Sequence, residues 1–101
     1  GLGDVYKRQD QVRKYLLEEA SHSTFAVDVP EPRVRFRNFG NDGLEFELLC
    51  WINEPVLKGR AVDDLNSAVY KRFKQEGIEI PYGKRDIYIK EMPGAGFKAN
   101  N

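Results

Sequence analysis

Apolar residues recur at Val62, Leu65, Val69 and Phe73, a three- and four-residue spacing that lines one face of a helix and requires something to cover it. Asp63 and Asp64 fall where the first turn is expected and Lys71, Arg72 and Lys74 toward the end, so the charges complement the helix dipole at both termini. Gly77 follows the last periodic position and takes a left-handed conformation at no steric cost, with Ile78 placed to fold back on Phe73. Pro81 forbids continuation, and Ile87 and Ile89 then flank an outward Tyr88 in the period of a half-buried strand. Nearer the start, Asp10 is a good N-cap for a helix marked by Val12, Leu16, Leu17 and Ala20, with Tyr15 at its margin and its end at residues 21–24. Residues 27–32 carry two prolines and predict an extended surface connection.

The strands between the helices are patterned more sharply. Residues 33–37 alternate strictly, Val34 and Phe36 on one face and Arg33, Arg35 and Arg37 on the other. After a turn at FGNDG (residues 39–43), residues 44–53 place Leu44, Phe46, Leu48, Cys50 and Ile52 on one face and Glu45, Glu47, Leu49 and Trp51 on the other. Pairing around Asn41 sets Phe36 opposite Phe46 and Val34 opposite Leu48, and also Arg37 opposite Glu45 and Arg35 opposite Glu47. Cross-strand ion pairs on a solvated face thus account for the arginines better than a nucleic-acid stripe does, since an RNA-binding sheet wants aromatics on its open face and Phe36 and Phe46 go to the core. Leu49 and Trp51 fall on the face away from the core. They are either a local cluster under the following loop or a contact surface for another subunit or domain, and they are the candidate interface residues.

Composition narrows the function classes. The chain of 101 residues suffices for one small domain, and 16 basic against 16 acidic residues leave no bulk attraction for nucleic acid or anionic lipid. One cysteine excludes an internal disulfide, and no apolar run approaches the roughly 20 residues of a membrane helix. Catalytic chemistry finds no constellation. His22 has no second histidine or acidic cluster beside it, and Cys50 sits on the core face with no base to activate it. FGNDG and the GAG at residues 94–96 lack the strand–loop–helix context of a phosphate loop. Neither Asp63 with Asp64 nor Asp86 with Glu91 has a spacing that holds two carboxylates on one site. No enzyme, cofactor or metal site is therefore expected. Exposed charges such as Arg60, Lys71, Lys74 and Lys84 read as a solvated face.

Two segments, FGNDGLEFELLCWIN (residues 39–53) and DLNSAVYKRFKQEGIEIPYGKRDIYI (residues 64–89), resemble the C-terminal cytoplasmic domain of the small-conductance mechanosensitive channel family. The order matches too: an aspartate-opened helix, a PEPRV entry at residues 30–34, then these segments, so the resemblance covers nearly all of residues 10–91. The most recognisable part is GIEIP followed by RDIYI, and Tyr82-Gly83-Lys84 departs from the family's usual aromatic-Pro-Gln after the proline. The resemblance implies an α+β, ferredoxin-like α/β sandwich, helices on one face of an antiparallel sheet, with the family's first and central strand missing. It further implies the lower part of a hollow cage on the cytoplasmic face of a bacterial inner membrane. There identical subunits assemble beneath a pore that lies upstream in the family, and the cage filters permeating ions and osmolytes during osmotic shock.

Residues 1–9, GLGDVYKRQ, have no periodicity joining them to the helix expected from Asp10 and read as a linker- or adapter-derived segment, on which reading the chain is expected to be a piece of a longer protein. The domain is then residues 10–91, with a Gly- and Asn-rich flexible tail at 92–101. Residues Leu2 to Tyr6 are expected to fill the place of the missing strand, or else the fragment is poorly stable. The alternative function class is a free-standing ferredoxin-like regulatory module that binds a small ligand at a subunit interface, and an acylphosphatase-type enzyme on the same fold ranks last.

Overall fold

The computed structural model describes residues 2–38, 45–78 and 85–91. Helix α1 (Leu2–His22) leads to strand β1 (Arg33–Asn38) and strand β2 (Glu45–Ile52). A 3-10 turn at Pro55–Leu57 enters helix α2 (Lys58–Gln75), and strand β3 (Arg85–Glu91) follows. The expected turn at 39–43, Leu44, Pro81, residues 82–84, the GAG at 94–96 and the tail lie outside the described residues.

Alternation in β2 builds the core. Phe46, Leu48, Cys50 and Ile52 are all buried and meet Val12, Leu16 and Ala20 of α1 and Ala61, Leu65, Val69 and Phe73 of α2 in one cluster. Both helices therefore lie on the even-numbered face of β2, and the rings of Phe46 and Phe73 meet edge to face at 5.9 Å. Tyr15, Val34, Phe36 and Val62 close the margins of this cluster, as their positions in the sequence pattern require. The result is the α+β, ferredoxin-like class.

The end of α2 also follows the sequence. Gly77 has φ 71°. Its N–H donates to Lys74 O at 3.3 Å and the Ile78 N–H donates to Phe73 O at 2.9 Å. These are the paired bonds of a Schellman cap, and the buried Ile78 side chain joins the cluster that holds Phe73.

Several expectations are corrected. Helix α1 does not start at Asp10 but runs unbroken from Leu2, because residues 2–9 contain no proline and, once the Val12–Leu16 face is docked, each further turn adds hydrogen bonds without new nucleation. Leu2 to Tyr6 are thus helical and fill no place in the sheet. Instead β2 pairs directly and in parallel with β3, Leu48 beside Ile87 and Cys50 beside Ile89, giving a mixed sheet in the order β1-β2-β3. The α2 crossover makes this possible, since it returns the chain in the same direction as β2.

Helix α2 begins at Lys58 and not near Val62, because Pro55 seeds a 3-10 turn that runs on into the helix. Asp63 and Asp64 therefore sit beyond the first turn, which holds no acidic residue. Finally, β1 and β2 pair as expected at Val34–Leu48, Arg35–Glu47 and Phe36–Phe46, but an irregularity comes after them, so that Asn38 and not Arg37 stands opposite Glu45.

Candidate interface and the helix-to-helix tether

Because both helices take the even face of β2, its odd face is turned away from them. Leu49 and Trp51 lie there, half-buried within the single chain. Leu49 is in register with Arg33 of β1 and Tyr88 of β3, and Trp51 with Lys90. The Trp51 carbonyl accepts from the Val27 N–H at 2.9 Å, so the stretch after α1 pins the end of the strand. The two candidate residues thus lie two positions apart on the same face of β2.

Glu47, on the same face, behaves differently from a solvated partner. Its side chain is only 11% exposed, whereas that of Arg35 is 75% exposed. Arg35 Nε donates to Glu47 Oε1 at 2.8 Å and Nη2 lies 2.7 Å from the same oxygen. A carboxylate that loses water keeps its charge only where donors replace that water, and the guanidinium supplies two of them.

Among the described residues, the densest set of ion pairs centres on Arg72 and reaches beyond what spacing along one helix foretells. Arg72 donates from Nη2 to Glu18 at 2.7 Å, from Nη1 to Glu19 at 3.0 Å and from Nε to Glu76 at 2.9 Å. Its guanidinium also lies 4.4 Å over the Tyr15 ring. Hydrogen bonds to Glu18 first, then to Glu19, push its pKa above the ordinary guanidinium range. In sequence Arg72 reads as a cation near a helix C-terminus, yet the fold makes it a tether between α2 and the end of α1. The i,i+4 pair with Glu76 was legible; Glu18 and Glu19 lie more than fifty positions away and were not.

Cys50 is fully buried, and burial pushes its thiol up to about 11. His22 is exposed in the last turn of α1. Arg60, named for its charge, lies 5.8 Å over the Phe25 ring. A cavity of about 190 Å³ opens nearby, lined by residues 24–27, 52–54 and Leu57, with no titratable side chain but that of Glu54. Among the described residues no group of three or more His, Cys, Asp or Glu is placed to hold a metal ion, and no helix is long and apolar enough to cross a membrane.

Comparison with known proteins bears on this geometry. The chain is 28% identical over 79 residues to an uncharacterized MscS family protein of Haemophilus influenzae, a match covering 78% of this chain but 7% of the relative. It therefore spans about 7% of the length of that curated relative. Among solved structures, one MamM CTD variant superposes with a TM-score of 0.59 at 15% identity, covering 84% of this chain and 99% of that one. A second variant gives 0.58 at 14% identity, covering 83% and 96%. At such identity the likeness speaks for the fold alone. The family description "Mechanosensitive ion channel MscS, C-terminal" matches residues 6–80, most of the chain and both core helices, and the chain accordingly belongs to that family.

Proposed function

We propose that this chain is the cytoplasmic cage domain of a mechanosensitive channel, holding identical subunits together beneath a pore carried elsewhere in the protein and filtering the ions and small osmolytes released under osmotic shock. The observation that carries this reading is the family match over residues 6–80. Two features of the fold agree with it. The odd face of β2 offers Leu49 and Trp51 for burial against a neighbouring subunit. Arg72 and the shared core tie α1 and α2 to one face of the sheet, the rigidity a scaffold needs. On this reading the domain lies on the cytoplasmic side of a bacterial inner membrane and carries out no chemistry.

The test uses the complete native gene in a bacterial strain lacking mechanosensitive channels. Tension-activated currents in excised patches, and survival of a sudden drop in osmolarity, are expected; a protein that reaches the membrane and gives neither overturns the channel reading. In the same protein, Leu49→Glu and Trp51→Glu are expected to reduce the cross-linked oligomer on a denaturing gel. Unchanged cross-linking would remove these two residues from the interface while leaving the channel reading in place.

A further inference from the structure

Strand β1 ends the sheet, with β2 on one side, and among the described residues no strand pairs with its other side. An uncovered edge is a template for another strand. What a neighbour of β1 must offer can be read from the strand already paired to its inner side. Opposite β2, Arg35 meets Glu47 in a 2.7 Å ion pair, while Val34 meets Leu48 and Phe36 meets Phe46. Acid beside arginine and apolar beside apolar is the chemistry β1 selects.

Its own pattern rejects a second β1. Antiparallel pairing that keeps the two faces of the sheet distinct sets Arg33 opposite Arg35, or either residue opposite itself, and like charges directly opposed are unfavourable. A strand with acidic residues in alternate positions meets no such obstacle. It would carry its acids beside the exposed Arg33 and Arg35, and its apolar residues beside the half-buried Val34 and Phe36.

The strand also carries a guard. Arg13 of α1 lies 5.0 Å over the Phe36 ring and donates from Nη1 to Val34 O at 3.0 Å. That carbonyl thus takes a donor from a helix side chain, an arrangement an incoming strand would have to displace. The Arg13 contact is exposed, so displacement trades one solvated hydrogen bond for a ladder of them.

We propose that the outer edge of β1 docks an extended segment in which acidic and apolar residues alternate, and that Arg13 is the side chain that moves aside to admit it. The mode is β-strand addition, with main-chain bonds giving affinity and the arginines giving selectivity.

The experiment is a titration of the ¹⁵N-labelled full chain with a blocked seven-residue peptide alternating Glu and Val, against a control alternating Lys and Val. Amide shifts confined to β1 and the Arg13 turn are expected with the Glu peptide, and weaker ones with the Lys peptide. Arg33→Glu leaves the Arg35–Glu47 pair intact, and a dispersed spectrum confirms its fold. It is expected to weaken the Glu peptide about fivefold and strengthen the Lys peptide, since one cross-strand ion pair turns repulsive. Arg13→Ala is expected to tighten the Glu peptide several-fold. The proposal is overturned by equal binding of the two peptides, by shifts centred away from β1, by no binding at millimolar peptide, or by indifference to Arg33→Glu. It is also overturned if Arg13→Ala makes the chain self-associate through β1 in sedimentation, because a second copy would then be the occupant.

Discussion

The same chemical change, glycine to alanine, should have opposite signs at two positions flanking the body of α2. At Gly77 the backbone φ is 71°, and a Cβ built there meets nothing within 4 Å. The penalty for Gly77→Ala is therefore conformational and not steric. Holding an L-residue in the left-handed region costs about 1–2 kcal/mol, and the Schellman bonds to Lys74 and Phe73 depend on that conformation. At Gly59, inside the first turn of α2, a Cβ again meets nothing within 4 Å and the backbone is helical. Gly59→Ala removes unfolded-state freedom without loss of contacts and should stabilise by roughly 0.5–1 kcal/mol. For a domain of this size, about 4–8 °C of melting temperature accompanies each kcal/mol. Gly77→Ala is then expected to lower the midpoint by about 4–16 °C, and Gly59→Ala to raise it by about 2–8 °C. Urea and thermal unfolding monitored by helical circular dichroism measure both. A third variant sharpens the assignment: Gly77→Asn should lose less than Gly77→Ala, because asparagine tolerates the left-handed region. A neutral Gly77→Ala, or the same sign at both sites, would refute the reasoning.

Packing and charge give the other expectations. Leu48→Ala opens a cavity where β2 meets both helices and should cost about 2–5 kcal/mol in urea unfolding; a loss under about 1 kcal/mol would mean the site is looser than its full burial suggests. The Cys50 thiol rises from 9.0 to about 11 through burial, so its contribution is fully present below pH 9 and is lost as pH climbs toward 11. Wild type should consequently lose about 2 kcal/mol more than Cys50→Ala between about pH 8 and about pH 11, and equal loss would show that the thiol stays solvated. Arg72→Met should lower the melting temperature more than Lys71→Met does, with the gap narrowing in high salt, since it leaves Glu18, Glu19 and Glu76 without their shared cation. If the two variants melt together, the tether contributes nothing.

What the sequence determined by itself was what local periodicity and pairing rules can carry. The 3.6-residue spacing of Leu65, Val69 and Phe73 and the alternation from Phe46 to Ile52 picked out the faces that pack, because each side chain's direction is set by its own backbone. The Arg35–Glu47 pair, the Gly77 cap and the burial of Cys50 came from the same local logic. Element ends were less legible. Asp10 has the chemistry of a cap, but capping is worth about 1 kcal/mol and cannot stop a helix whose next turn already has a nucleus to extend. Only the tertiary structure decided three things: that β3 lies parallel against β2, that Glu47 is covered while Arg35 stays out, and that Arg72 joins Glu18 and Glu19 across more than fifty residues. Each depends on which surfaces meet after the chain folds back, and separations of that length leave no periodic trace in the sequence.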